Sequence, residues 1–506
     1  MPSEHRLKWA DFLDLRVEAN ASIALFRQIY LCLRNAIIGQ ALAPGSRLPS
    51  TRELAKKLGV SRTSVLTAYD QLLAEGYVEG KAGSGTYVSS DLPEPLVTAG
   101  ADGEATSDAA QARRRLSAYG TRCREYVPAK VSLDTIPFIT GRTSVDLQTV
   151  DAWRGISSRR LRKPDLIDYG YSDPFGLPAL RREIAEYLRA ARAVRCEPEQ
   201  ILIVSGAQQA IDLSLRVLLN PGDAAWVEDP CYPATRAALH ALGARLVPVP
   251  VDESGLVVGK GIEAEPDARL AYVTPSHQYP SGAAMSMARR LELLAWARSR
   301  GAWIIEDDYD SEFRYAGRPL ASLQGLLQNE CVIYVGTLSK VLFPGIRVGF
   351  AVVPRDLMDA FAGARFLADR FASTLQQAAV ADFLREGFLT SHIRRMRQRY
   401  REARDFTMQA VSRCLGPCVS MATPECGMQL VAYLEQGLSD TAVSEEAQRH
   451  GVVVRPVSSM YLEAPARQGL LLGFTGFSLP SLQIATERLA NAVERTAKGR
   501  RQDRRR

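Results

Sequence analysis

From residue 131 onward the sequence carries seven short apolar runs: ILIVSG, AAWVEDP, ARLVPVPV, LAYVTPS, AWIIEDD, VIYVGT and GFAVVP. Helix-like stretches such as AQQAIDLSLRVLL and ARRLELLAWARSRG lie between several of them. A run that is apolar on both faces is stable as a strand only when both faces are covered. The alternation therefore predicts a mostly parallel sheet with helices on either side. In an open sheet of this kind ligands bind at the carboxyl edge of the strands, so the residues that close each run become the candidates for chemistry. From about residue 356 the pattern turns helical (DAFAGARFLADRFAS, FLTSHIRRMRQRYREARDFTMQAV) and then mixed, which predicts a smaller α+β part.

The 506 residues correspond to about three domains at roughly 100–200 residues each. Residues 1–90 are dense in helical periodicity. Residues 91–130, which begin DLPEPLVTAGADGEATSDAAQARRRLSAYG, are small and polar, and predict a flexible linker with RRR at 113–115. Residues 131–497 form the body, its large part spanning about 150–355 and its small part about 356–497; 498–506 is a basic tail. With 46% hydrophobic and 24% charged residues the chain cannot be wholly disordered. The net charge is +7, of which the tail KGRRQDRRR holds +5 and residues 1–90 hold +3. The body is thus near neutral, which argues against a chain-wide basic coat for nucleic acid. The eight cysteines include no C-x-x-C pair and the five histidines do not cluster with them, so no metal site is expected. The start, MPSEHRLKWADFLDLR, has no apolar core of a signal peptide, and no apolar stretch reaches about 18 residues. These features predict a cytoplasmic chain in a reducing setting with no membrane partner.

Within the first 90 residues, Ile23, Phe26, Ile29, Tyr30, Leu33 and Ile37 share one helical face. Ser50 followed by Glu53 has the spacing of a capping box, and Gly59 suits a left-handed helix end. Ser61 then caps a second short helix with Val65, Tyr69, Leu72 and Leu73 inward. Two short helices joined by a tight turn make a helix-turn-helix, whose second helix presents its first residues to the major groove. Here those residues are Arg62, Thr63 and Ser64, after the Ser61 cap; Thr51 and Arg52 start the preceding helix close to the DNA backbone. Arginine can contact guanine bidentately, and hydroxyls can reach phosphate or base. YVEGKAGSGTYV reads as a two-stranded wing with Lys81 and Gly83 at its tip.

The body offers what pyridoxal 5′-phosphate (PLP) needs: an amine for its aldehyde, a carboxylate for its pyridine nitrogen, and N–H groups with a cation for its phosphate. Lys340 follows the run CVIYVG, and Asp307 ends AWIIED. The stretch between them is long enough for a crossover, so both fit one sheet edge. Asp308 and Asp310 are alternatives for the acid. Tyr309 could bond the ring hydroxyl oxygen. Gly206, Ala207 and Gln208 open a helix whose free N–H groups suit a phosphate, with Arg347 and Thr337 to complete the cradle. Tyr232, in EDPCYPATR, could stack on the ring. Taken singly each has a plainer reading as a cap, a core residue or a surface charge; their conjunction in this chain order carries the argument.

LPSTRELAKKLGVSRTSV…L..EGYVEGKAGSGTYV resembles the winged-helix domain of GntR-family regulators over about residues 22–90. Where some members of that family have a second DNA-contacting Arg, this chain has Leu66. The body resembles fold-type I, aspartate-aminotransferase-like enzymes. EDDYDSEFRY, PSHQYPSG and GTLSK.LFPGIR.G behind such a winged helix resemble the MocR/GabR-type regulators over nearly the whole chain. The resemblance implies a multidomain fold: a mainly α winged helix-turn-helix and an α/β body with a smaller α+β subdomain. It implies PLP as cofactor, Lys340 as the Schiff-base lysine, Asp307 as the pyridine partner, Tyr309 at the ring oxygen and Arg347 on the phosphate. It further implies double-stranded operator DNA as partner, a small-molecule effector (PLP itself or an amine), and a homodimer that exchanges its winged helices. Two departures stand out. Tyr279 precedes Pro280-Ser281-Gly282 where aminotransferases carry Asn, leaving His277 or Tyr279 to fill that corner. Leu471 stands where their carboxylate-binding Arg would be, leaving Arg455 as a substitute. The leading reading is a PLP-dependent transcriptional regulator; the alternative is a working aminotransferase with a helix-turn-helix extension. The basic tail and RRR are either extra phosphate contacts or solvated chain.

Overall fold

The computed structural model describes residues 17–18, 23–39, 41–81, 84–90, 115–127, 136–163, 165, 169–317, 320–326, 330–463 and 465–503. The chain forms two compact units, Met1–Arg114 and Arg115–Arg506.

In the first unit, α1 (Leu25–Ile38) buries Ile29, Tyr30, Leu33 and Ile37. Ile23 precedes the helix and is exposed, so the apolar face begins later than its periodicity predicts. The capping box forms at the head of α2 (Thr51–Leu58): Glu53 N donates to Ser50 Oγ at 3.2 Å, and Ser50 N donates to Glu53 Oε2 at 3.0 Å. Gly59 ends the helix at φ 66°. α3 (Arg62–Ala74) starts on Ser61, whose Oγ accepts from Ser64 N at 3.1 Å. Val65, Ala68, Tyr69 and Leu72 face inward, whereas Leu73 is exposed. Adjacent helix positions point about 100° apart, so Leu72 and Leu73 cannot share the core face. β1 (Val78–Lys81) and β2 (Gly85–Val88) pair antiparallel as the wing. Gly83 lies outside the described residues.

The second unit runs α4 (Ala118–Cys123), α5 (Leu147–Arg162), α6 (Pro178–Arg192), β3 (Ile201–Val204), α7 (Ala207–Leu218), β4 (Ala224–Asp229), α8 (Pro233–Leu242), β5 (Arg245–Asp252), β6 (Gly255–Leu256), α9 (Val258–Ala264), β7 (Leu270–Val273), α10 (Met287–Arg300), β8 (Trp303–Asp308), β9 (Val332–Thr337) and β10 (Gly349–Val352). It continues through α11 (Met358–Asp369), α12 (Thr374–Arg385), α13 (Phe388–Leu415), β11 (Val419–Ser420), β12 (Gln429–Leu434), α14 (Asp440–Arg449), β13 (Arg455–Pro456), β14 (Gly469–Gly473) and α15 (Leu479–Asp503). Among the described residues, eight strands form one sheet in the order β3-β10-β9-β8-β7-β4-β5-β6. All seven apolar runs are strands. β9, β8, β7, β4 and β5 are mutually parallel, while β10 is antiparallel to both β9 and β3. The sheet is therefore mixed. Residues 338–348 are too few for a crossover helix, so the chain can return from β9 only in the opposite direction.

Side chains alternate across this sheet. Ile201, Ile203, Phe350 and Val352 pack with α6 and α12, whereas Leu202, Val204, Ile333 and Val335 pack with α7 and α11. Both faces are dry, as the run composition requires. The helical segments at 358–385 thus belong to the large sheet, although helical pattern alone assigns them to the smaller part. The long α13 spans both cores, entering the second at Met396. The smaller sheet, β11-β12-β14-β13, is antiparallel and packs on α13, α14 and α15. Phe138, far ahead in sequence, bridges to Gly473 and joins that small core.

Two segment boundaries differ from expectation. Residues Ala118–Cys123, inside the stretch expected to be a linker, form α4, which docks on α8. Arg122 Nε donates to Ala241 O at 3.0 Å, and the Tyr126 hydroxyl meets His240 Nδ1 at 2.9 Å. These contacts come from single polar side chains that periodicity does not register. At the other end, α15 continues to Asp503, so residue 498 marks a change of charge and not of secondary structure.

Candidate functional site

β3, β7, β8 and β9 point their carboxyl ends the same way, because β10 runs against both β3 and β9. Ser205–Gly206, Thr274, Asp307 and Thr337 therefore arrive at one edge, and Lys340 follows three residues after β9. A cavity of about 160 Å³ opens there. Of the residues the sequence singles out, Ala207, Gln208, Tyr232, Asp307, Tyr309, Thr337 and Lys340 line it. The small part contributes Met428, Gln429 and Arg455, and the segment ahead of α5 contributes Thr140 and Gly141.

Asp307 is buried at the end of β8. Its Oδ2 accepts from the Tyr272 hydroxyl at 2.6 Å, while its Oδ1 has no partner among the described residues. Burial pushes this carboxyl up to about 7. A buried carboxylate oxygen without a donor is costly unless a cationic N–H completes it, which is the demand a protonated pyridine nitrogen meets. Asp308 is excluded as the cavity acid by strand alternation. It faces the other side of the sheet, where it accepts from Arg192 Nε at 2.6 Å and from the Tyr334 hydroxyl at 2.6 Å. Asp310 lines the cavity but ties the two parts of the body together, its Oδ2 accepting from Met428 N at 3.1 Å.

Burial is the main reason that the Lys340 amine sits below the usual lysine range. Asp310 and Asp307 partly oppose that shift and Arg455 adds to it. A lower pKa leaves more of the amine neutral and nucleophilic. Its Nζ lies 3.4 Å from Gly141 O, and a Cβ at Gly141 would collide with it. Gly141 is not legible in the sequence, since nothing in TGR signals that residue 141 returns over residue 340.

The residues expected around a phosphate also lie close to one another. Gly206 adopts φ 144° ahead of α7, and a Cβ there would stand 3.4 Å from Arg347 Nη1. The guanidinium thus lies over the helix amino terminus beside Gly206, although neither residue lines the cavity itself. Arg347 occupies the left-handed region at φ 46°, which costs a non-glycine residue roughly 1–3 kcal/mol. The buried Ser339 Oγ, next to Lys340, has no partner among the described residues, and the sequence does not single it out. Thr337 Oγ1 accepts from Ser339 N at 3.1 Å. This donor set fits an anion: free helix-terminal N–H groups, one guanidinium and one spare hydroxyl.

The corner beside Pro280 is settled in favour of Tyr279, which lines the cavity and meets the Tyr232 ring edge-on at a centroid distance of 5.2 Å. His277 lies outside the cavity. It is buried, with Nδ1 2.9 Å from Asp310 Oδ1 and 3.0 Å from the Tyr309 hydroxyl. His277 thus contacts two residues that line the cavity, Tyr309 and Asp310, and does not itself line it. Tyr272 also escapes the sequence reading. The question that finds it is what a phenol inside the buried run LAYV bonds to.

In the first unit, Arg62 and Thr63 are exposed at the start of α3, and Arg62 Nε donates to Thr51 Oγ1 at 3.3 Å. Ser61 and Ser64 are occupied with each other through a 2.9 Å hydroxyl contact. Arg52 is exposed, and Lys81 stands over the Tyr87 ring at 5.0 Å.

Comparison with known proteins agrees with this division. Residues 25–88 match the family of bacterial regulatory proteins of the gntR type, and residues 165–470 match the class I and II aminotransferases. The probable rhizopine catabolism regulatory protein MocR of Rhizobium meliloti is 38% identical over 478 residues, covering 94% of this chain and 95% of that protein. The HTH-type pyridoxine biosynthesis transcriptional regulator PdxR of Corynebacterium glutamicum is 33% identical over 462 residues, covering 91% and 94%. Among solved structures, the α-aminoadipate aminotransferase LysN of Thermus thermophilus, complexed with N-(5′-phosphopyridoxyl)-L-leucine, superposes with a TM-score of 0.68 at 28% identity. The match covers 76% of this chain and 98% of that one. With its gntR-type winged helix and its aminotransferase body on one chain, the protein belongs to the MocR-type HTH transcriptional regulators.

Proposed function

We propose that this regulator holds PLP on Lys340 and uses the loaded body to sense an amine or the coenzyme itself. The single observation that carries the reading is the buried Asp307 carboxylate with its unpartnered Oδ1, in the same cavity as a lysine of lowered pKa. Asp307 would hold the pyridine nitrogen protonated. Arg347, Ser339 and the N–H groups of Ala207 and Gln208 would hold the phosphate. Tyr232 would cover the ring, and Tyr309, buttressed by His277, would meet its hydroxyl oxygen. The coenzyme would supply an aldehyde that condenses with primary amines.

On the DNA side, Arg62 and Thr63 would read base edges, with Ser61 and Ser64 fixing the start of the recognition helix. Thr51, Arg52, Lys81 and Gly83 would contact the backbone or the minor groove. We divide the chain into a head (1–90), a connector up to α4, and the body. We take the working form as a cytoplasmic homodimer, since two heads are needed to span paired half-sites. Effector binding would then alter how the heads are spaced.

The test combines visible absorption and borohydride trapping of purified full-length protein, wild type beside Lys340→Ala, with operator binding titrated against PLP and simple amines. Wild type should be coloured and trapped on Lys340, and the variant should not be trapped. Colourless, untrappable protein whose operator affinity ignores PLP would overturn the reading.

A further inference from the structure

The outer face of α3 carries an apolar side chain among its polar ones. Val65, Ala68, Tyr69 and Leu72 take the inward face, whereas Leu66 points away from them and is 45% exposed. Successive helical residues turn by about 100°. With Arg62 as origin, Leu66 lies at about 40° and Thr63 at about 100°, so the leucine projects between them. It stands about 6 Å further along the axis than Arg62, within the first turns that meet base edges. Leu73 is also exposed and near the same direction, but it lies about 16 Å from Arg62 along the axis, beyond those turns. A single exposed leucine is unremarkable on an ordinary surface. Its place between Arg62 and Thr63 is what singles Leu66 out.

The polar neighbours of Leu66 are partly committed. Thr67 Oγ1 donates to Thr63 O at 3.0 Å, so its hydroxyl is turned back onto the helix. Arg62 spends Nε on Thr51 Oγ1 at 3.3 Å, which leaves its Nη groups as donors. The match of residues 25–88 to the gntR-type regulators makes DNA the occupant of this face. The base pair opposite position 66 then meets an isobutyl group with neither donor nor acceptor. Against a base edge made only of donors and acceptors, such a group leaves them desolvated and unpaired, which costs affinity. Thymine alone among the bases offers an apolar group in the major groove, its C5 methyl.

We propose that Leu66 is a specificity-determining residue that reads a thymine C5 methyl in each half-site, beside the base pair met by Arg62. This contact deepens the operator reading proposed above, rests on α3 entering the major groove, and does not involve the coenzyme.

The experiment lets the full-length protein select its preferred duplexes from a randomised pool. Each thymine of the selected duplex is then replaced in turn by 2′-deoxyuridine, which removes the methyl and keeps the pairing and the O4 acceptor. Fluorescence anisotropy should show wild type losing about 3- to 5-fold at one thymine per half-site, the size expected for one buried methyl group. That thymine should neighbour the base pair whose identity Arg62→Ala relaxes. Leu66→Ala should bind the thymine and uracil duplexes alike, while its affinity for random DNA stays that of wild type and shows the head to be folded. Leu66→Met, which keeps an apolar contact, should retain part of the uracil penalty. Selected duplexes with no fixed thymine beside the Arg62 base pair, uracil substitution without cost in wild type, or a penalty that survives in Leu66→Ala would refute the contact. Failure of wild type to enrich any sequence would instead overturn the operator reading on which the contact depends.

Discussion

Replacing Asp307 by Asn should raise the stability of the coenzyme-free protein while weakening its hold on PLP. Burial lifts the Asp307 carboxyl from 3.8 to about 7. At one pKa unit per about 1.4 kcal/mol, keeping this group ionised at pH 8 costs the folded state up to about 4 kcal/mol. The sign follows from proton binding. Between the unfolded and folded pKa values the native state binds more protons, so stability is full below about pH 4 and falls as the pH rises towards 7. Asn removes that cost and can still accept from the Tyr272 hydroxyl. Its amide would stand unpartnered where Oδ1 stood, at a cost of about 1–3 kcal/mol. The net expectation is a gain of about 1–3 kcal/mol at pH 8. The part of the pH 4–7 slope due to Asp307 should disappear, while other raised carboxyls, among them Glu228 and Glu312 at about 7, contribute to what remains. Urea unfolding of the coenzyme-free wild type and Asp307→Asn at pH 5 and pH 8 measures the gain, and coenzyme titration measures the loss. A variant less stable than wild type at pH 8 would refute the burial cost, and one that binds PLP as tightly would refute the assignment of Asp307 to the pyridine nitrogen.

Removing Arg192 should cost about 3–5 kcal/mol in urea unfolding, because Asp308 would be left buried with only Tyr334 to serve it. Since β8 carries Asp307 beside Asp308, the same variant should also lose coenzyme affinity. In the head, Arg62→Ala should cost about 1–3 kcal/mol on the operator and little on random DNA. Lys81→Ala should weaken both equally and lower the salt slope by about one. Fluorescence anisotropy at two salt concentrations separates these cases, and equal losses for Arg62→Ala on both DNAs would remove it from base readout.

Local chemistry is readable directly from the chain. The capping box at Ser50–Glu53, the left-handed Gly59 and the Ser61 cap involve residues within a few positions of one another, so their bonds follow from spacing. The seven strands are equally legible, because a run apolar on both faces has few ways to exist in water. Asp307, Lys340, Thr337 and Gly206 can be placed at one edge because each closes a strand or comes shortly after one.

What spacing cannot reach is everything that depends on residues hundreds of positions apart. The reversed direction of β10, the assignment of 358–385 to the large sheet and the docking of α4 on α8 are packing outcomes. The return of Gly141 over Lys340 and the entry of Gln429 and Arg455 into the cavity follow from how two sheets meet. Strand alternation, which needs the sheet to exist, separates Asp307 from Asp308. The corner between Tyr279 and His277 is likewise closed by which side chain the neighbouring rings and Asp310 leave room for. Sequence determines the groups a chain can offer and the elements that carry them, since those rest on local backbone energetics. The tertiary structure decides which groups share a cavity and which are left without a partner, because burial and pairing are properties of the packed whole.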